Sequence, residues 1–242
     1  MISRVAGSCF WLHRYLERAE NVARLLRVTR SFVLDIPVDE LEKHYPLIVV
    51  CGEQARFDAR FDAAQRQDRE VVEDYLTWDP ESPVSIRTSI YWARANARTT
   101  REVISLEMWE SLNDLWNFLR FGKGRRLYGH DRDAFFKRIK DGCDLALGQT
   151  ESTLLEGEPL DFMRLGRFLE RANQTARMLD VKHHTLGPSR GVETPIETAH
   201  WSALLYSCGA AEAYHKRWPA RPDGQSIASF LVKEPALPRS VL

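Results

Sequence analysis

Apolar residues return every three to four positions along most of the chain, the spacing of one helix face. No segment alternates apolar and polar residues at the period of a half-buried strand. The pattern predicts an all-α protein, a helical bundle. Ser3 is a candidate N-cap, and from there to about Leu34 one long helix is expected. Within it Trp11, Leu12, Tyr15, Leu16, Ala19, Val22, Ala23 and Leu26 share one broad apolar sector. Asp35-Ile36-Pro37 ends that helix, and Asp39 is placed to cap a second one through Leu47 to Cys51. The polar stretch from Glu53 to Arg69 reads as a solvated helix or a mobile connection. Val71 to Trp78 predicts a short helix stopped by Asp79-Pro80.

Ser82-Pro83 then supplies a hydroxyl cap followed by proline, a start signal for a helix from Val84 to about Ile104. Helical spacing resumes from Glu107 to Leu119. Gly122 to Arg126 reads as a basic, flexible turn, followed by a helix from Asp131 to Leu155 and a break at Gly157-Glu158-Pro159. Leu160 to His184 forms another long helix, Gly187 to Gly191 a loop, and Thr194-Pro195 opens a helix reaching Ala213. Gln225 to Val232 is short, and Pro235 and Pro238 close the chain.

Two of the long helices carry the same motif. Arg14-Tyr15-Leu16-Glu17-Arg18-Ala19 returns 153 residues later as Arg167-Phe168-Leu169-Glu170-Arg171-Ala172, and the match continues through Ala23-Arg24 and Leu26 to Ala176-Arg177 and Leu179. A second block supports it at an offset of 155: Leu76, Asp79-Pro80, Pro83, Ser85 and Ile86 match Leu231, Glu234-Pro235, Pro238, Ser240 and Val241. Leu47 to Gly52 resembles Leu204 to Gly209 between them. The expectation is one all-helical domain over 1–242, built from repeat one at 1–150 and a partial, truncated repeat two at 155–242. Each repeat is expected to bury its apolar face on the other.

Eight of thirteen positions are identical between the two motif helices, four of them charged. Core packing explains the apolar identities and leaves the charged ones open. With Arg14 at zero on a helical wheel, Glu17, Asn21 and Arg24 fall within about 80° of it, opposite the apolar sector, and Arg18 at about 40°. Repeat two presents Arg167, Glu170, Gln174 and Arg177 in the same order. A solvated face, a buried Glu–Arg network between the helices, and a polar binding cavity all fit this stripe. In the last case, facing Glu17 and Glu170 carboxylates could hold a cation or share a proton, and the arginines could bind a carboxylate or phosphate. A second stripe, Arg87, Arg94, Arg98 and Arg101, is either solvated or an anion-binding or partner-binding strip. Asn96 lies between Arg94 and Arg98 in sequence as a further candidate, and the Glu107, Trp109, Glu110 and Asn113 cluster follows on the next helix.

Charge adds an exclusion: Lys plus Arg and Asp plus Glu are both 34, so no overall basic footprint for nucleic acid exists. The cysteines at 9, 51, 143 and 208 lie outside metal-ligand spacing, and buried reduced thiols are expected, with no metal site. No stretch reaches the roughly 20 apolar residues of a membrane span, and the N-terminal apolar run is broken by His13-Arg14, unlike a signal peptide. A cytoplasmic location follows as the expectation, with no membrane or nucleic-acid partner and homo-oligomerisation left open. No nucleophile elbow, phosphate loop or dinucleotide fingerprint is present, so residues alone assign no reaction and no cofactor.

The two Glu-Arg blocks, together with Ala93-Arg94-Ala95-Asn96-Ala97-Arg98, Ser105-Leu106-Glu107-Met108-Trp109-Glu110 and Leu237-Pro238-Arg239-Ser240-Val241, resemble the alpha-E domain family, an all-helical bacterial family named for its Glu-Arg motif. The resemblance covers the whole chain. It implies that Glu17, Arg18, Glu170 and Arg171 are signature residues. It also implies genomic association with ATP-grasp ligases and transglutaminase-like proteases, and thereby a helical accessory or binding module of a peptide-ligation or peptide-modification system. An enzyme acting on a peptide or activated carboxyl group through a Glu/Arg site is the alternative. Family members run on past the Pro-Arg-Ser block, and Met163 and Arg164 stand where more aromatic character is implied.

Overall fold

The structure is a computed structural model that describes residues 2–33, 44–186, 194–218 and 223–241. Among the described residues there are thirteen helices and no strand, so the all-α expectation holds. The expected helix end at Leu34, the break at Asp35-Ile36-Pro37, the Asp39 cap and the loop from Gly187 to Gly191 lie outside the described residues.

The first helix, α1 (Ser3–Val33), begins one residue earlier than a Ser3 cap would give. The Ile2 carbonyl accepts from the Val5 and Ala6 N–H groups, which makes Ser3 the first helical residue. Next come α2 (Tyr45–Cys51), α3 (Gln54–Arg60), α4 (Ala63–Gln67) and α5 (Arg69–Thr77). The polar stretch from Glu53 to Arg69 is therefore two short helices: Phe57 anchors the first by full burial, and an Asp62–Gln65 capping box opens the second.

The helix expected from Ser82-Pro83 starts later, as α6 (Ile86–Thr99). The Ser85 hydroxyl accepts from Thr88 N–H and donates to the Asp79 carbonyl, while Ser85 N–H closes a turn onto the Ser82 carbonyl. Thr100 ends α6 by donating its hydroxyl back to the Asn96 carbonyl. Ser105 then caps α7 (Leu106–Arg120). The segment read as a basic turn is α8 (Lys123–His130), because Gly122 alone absorbs the reversal at φ +79°. Asp131 ends α8 and caps α9 (Arg132–Thr153) with one side chain. α10 (Glu158–Leu186) begins before Leu160, with Pro159 in its first turn, where a missing N–H costs nothing. A Thr194–Glu197 capping box opens α11 (Pro195–Ser207) as expected, but the helix stops before Ala213 because Gly209 turns at φ +61°. α12 (Ala211–Arg217) and α13 (Gly224–Lys233) follow.

The helices gather into two compact units, each drawing on both halves of the sequence. Unit one comprises Met1–Arg27 and Asp74–Glu170, and unit two comprises Val28–Glu73 and Arg171–Leu242. In unit one α7 packs on α6, α8 and α9. Met108, Leu112, Leu115 and Leu119 line its buried face at four-three-four spacing and meet Phe135, Phe136, Ile139 and Cys143 of α9 in the core. Trp78 is buried with its ring 5.2 Å from Phe135. In unit two α11 packs on α12 and α13, and α2 on α3. Gly52 closes α2 in the left-handed region, and the Arg177 guanidinium occupies the space where a Cβ would stand.

All four cysteines are free and buried, as the sequence suggested. Burial, helped by the charge of Glu102, pushes the Cys9 thiol up to about 11.

One contact brings α1 and α10 together within unit one. A Cβ built on Gly166 would stand 2.1 Å from the Phe10 carbonyl oxygen, so the two backbones touch without a side chain between them. Gly166→Ala is expected to lose about 2–3 kcal/mol in urea denaturation, because backbone must shift to admit the methyl group. Gly148→Ala, at an exposed position of α9 with open space around it, should instead gain about 0.5–1 kcal/mol.

Candidate functional site

From Leu12 to Leu26 every residue of α1 is buried except Arg14, Tyr15 and Arg18, which are half-buried. A wheel ranks faces by polarity and is blind to what covers them. The charged stripe of α1 is covered, so its polar groups require partners inside the protein.

Glu170, on α10, is the best satisfied of them. Its carboxylate is 1% exposed. Arg18 grips it with a fork, Nε donating to Oε1 at 2.7 Å and Nη2 to Oε2 at 3.0 Å. Arg14 adds Nε to Oε2 at 2.8 Å and Nη2 at 2.7 Å. The Arg14 guanidinium also lies 5.0 Å from the Trp11 ring centre, and that of Arg18 5.4 Å from Tyr15. Burial pushes the Glu170 carboxyl up, but the hydrogen bond and charge of Arg18, with those of Arg14, outweigh it and hold the group below its ordinary 4.5. A carboxylate held ionised this way is poorly suited to deliver a proton, and it acts here as a pin between two helices.

The equivalent pair with roles exchanged lies beside it. Arg167 Nε approaches the fully buried Glu17 to 3.9 Å, and Arg167 Nη1 donates to Glu151 at 3.1 Å. Arg164 bridges Glu151 and Glu156 at 2.7 and 2.8 Å. The structure thus brings Arg14, Glu17, Arg18, Arg167 and Glu170 into one charge network. Among the described residues no group of three His, Cys, Asp or Glu could hold a metal ion.

The remaining motif residues are engaged nearby or in unit two. Arg24 is buried, donating to Glu20 and to Asn21. Arg171 donates to the Pro238 carbonyl at 3.4 Å, and Thr175 to the Arg239 carbonyl at 3.1 Å. The second Glu-Arg block thereby ties down the Pro-Arg-Ser segment. Arg177 donates to Asn173 at 3.2 Å. Sequence reasoning missed Glu20, fully buried against Arg24. It also missed Glu73, fully buried and gripped by Arg69 at 2.8 Å and Arg30 at 3.0 Å, and His13, whose Nε2 lies 3.2 Å from the Thr150 hydroxyl. Of Glu20, Glu73 and Glu170, each gripped by arginine at hydrogen-bond distance, only Glu170 belongs to a repeated Glu-Arg block, the signal that singled it out.

The second stripe divides. Arg94 and Trp109 meet, with the guanidinium 5.3 Å from the ring centre. Asn96 only donates to its own helix at Trp92, Arg98 is exposed, and Glu107 is exposed in the first turn of α7, where its charge favours the helix dipole.

The model of the Alpha-E family, described as a predicted alpha-helical domain with a conserved ER motif, matches residues 1–242. Uncharacterized proteins of Mycobacterium bovis and of Mycobacterium tuberculosis strain CDC 1551 are each 27% identical over 263 residues, and one of Mycobacterium tuberculosis strain H37Rv is 26% identical. Each alignment covers 99% of this chain but 28% of the relative, so the chain spans little more than a quarter of the length of those relatives. No solved structure gives a significant match.

Glu170→Gln removes the charge and leaves two half-buried guanidiniums without it, so at pH 7 a loss of about 3 kcal/mol is expected in urea denaturation. The folded pKa of Glu170 is lowered, so its contribution is present above the unfolded value and fades as pH falls through the folded one. The gap between parent and variant should therefore narrow below pH 4.5. Equal stability at pH 7 would show that the pin contributes nothing.

Proposed function

The chain belongs to the Alpha-E family, and we propose that it is a helical accessory and binding module of a peptide-ligation or peptide-modification system, working in the cytoplasm beside an ATP-grasp ligase. The observation that carries this reading is the engagement of the motif itself. Glu170 is buried, ionised and gripped by two arginines, an arrangement suited to holding helices rather than to turning over a substrate. The partner class comes from the family resemblance, which also names transglutaminase-like proteases.

Two further features fit a module that works against another protein. The matched region is a minor part of much longer relatives. On α10, Phe162, Leu165, Phe168 and Leu169 are 37%, 48%, 49% and 48% exposed, four large apolar side chains within two turns of helix, a surface that favours burial against a partner. We also read the chain as an internal duplication with repeats at 1–150 and 155–242. The reciprocal approach of Arg14 to Glu170 and of Arg167 to Glu17 supports that reading.

Affinity capture of the tagged chain from its native cells, read by mass spectrometry, tests the proposal. An ATP-grasp ligase should be enriched with the parent chain and reduced about tenfold with Leu165→Lys/Leu169→Lys, a surface variant expected to keep the circular dichroism spectrum and Tm. Turnover of a peptide or amino acid by the purified chain alone, lost in a folded Glu170→Gln variant, would overturn it in favour of an enzyme.

A further inference from the structure

Two arginines of unit one converge on one indole. Trp109 stands in the first turn of α7, which packs on α6. Arg94, on α6, places its guanidinium carbon 5.3 Å from the Trp109 ring centre, and Arg101, in the connection between the helices, places its own at 4.9 Å. Asn113 sets the orientation. Its Nδ2 donates to the Trp109 carbonyl at 2.8 Å, which turns Oδ1 toward Arg94 to accept from Nε at 2.6 Å. The two Nη groups of Arg94 remain for another acceptor.

Arg101 Nη1 is buried with no hydrogen-bond partner among the described residues. Nor does any described carboxylate form an ion pair with Arg94 or Arg101, although Glu102, Glu107 and Glu110 are close along the chain. By contrast Arg14, Arg18 and Arg24, also buried or half-buried in unit one, are each matched to a glutamate. Two cations drawn to one ring repel each other, and a buried donor without an acceptor is destabilising. Both tensions are relieved by an anion.

We propose that Arg94, Arg101 and Trp109 form a binding site for an oxyanion, a carboxylate or phosphate group. The planar guanidinium fork matches either group, and the indole face beside it lowers the local dielectric and strengthens the contact. All three residues are half-buried, within reach of a solute yet shielded. Arg98, exposed on the same helix between the two arginines, adds positive charge to the approach. Trp116 lies two turns beyond Trp109 on the same side of α7, its ring 5.4 Å from the exposed Tyr91. The same two helices therefore offer an aromatic surface to the body of a ligand whose charged end the arginines hold. This site is separate from the Glu170 network and does not depend on the proposed partnership.

The test follows the indole N–H resonance of Trp109 in the full chain labelled with nitrogen-15, assigned with Trp109→Phe. Inorganic phosphate and N-acetylphenylalanine are titrated at constant ionic strength. The expected result is a saturable shift with one or both. Saturation by phosphate alone assigns the phosphate source, and by N-acetylphenylalanine alone the carboxylate source. The apparent Kd should rise about tenfold in Arg101→Gln and in Arg94→Gln and stay unchanged in Arg120→Gln, at the far end of α7. Non-saturating shifts with both probes, or an affinity equal to the parent's in folded Arg101→Gln and Arg94→Gln, would overturn the proposal.

Discussion

A buried carboxylate demands a counter-charge within hydrogen-bond reach, and Glu170 meets that demand only where α10 lies beside Arg14 and Arg18 of α1. The placement of these two helices in unit one follows from it. Four residues before Arg14 and four before Glu170, the chains touch backbone to backbone at Phe10 and Gly166. Glycine sets how near the helices come, and the ion pairs set how they are turned. An apolar contact of the same area would tolerate rotation of one helix against the other, whereas a two-armed grip on a single carboxylate does not. Buried ion pairs add little net stability over a well-packed apolar pair, and fixing one arrangement is the use best attested for them.

Much of this was visible in the residues. The repeated charges of the Glu-Arg blocks marked the positions that matter, since packing gives no reason to repeat a charge. What could not be read was the surroundings. The wheel put Glu17, Asn21 and Arg24 opposite the apolar sector, which is equally true of a solvated face and of a central helix covered on all sides. Glu20 and Glu73 were invisible for a related reason: single charged residues on helices are usually solvated, and only the tertiary fold shows the arginines that grip them. The helix start at Thr194-Pro195 was legible because the cap is local. The start at Ser82-Pro83 was not, because Ser85 offers a second hydroxyl and its bond to the Asp79 carbonyl decides between them.

A motif engaged in internal pairs leaves recognition to the surface, and the surface of unit one is not uniform. α10 exposes large apolar side chains, while α6 and α7 present arginine and aromatic groups together. In unit two, Arg171 and Thr175 hold the backbone around Pro238 and Arg239, so the second copy of the motif ties down the Pro-Arg-Ser segment. One helical signature thus serves two structural tasks. That accounts for charged positions recurring in both copies without requiring a shared reaction.

The long reach of these pairs also governs the order of events during synthesis. Glu170 is made 156 residues after Arg14, and Thr150, the partner of His13, 137 residues after it. At translation rates of about 5–20 residues per second, roughly 8–30 s separate α1 from the carboxylate that fixes it. Throughout that interval Leu12, Leu16 and Ala19, all fully buried in the finished protein, belong to a helix lacking its permanent partner. α1 is thus open to premature association until α10 has followed it, and unit one closes only once both helices have been made.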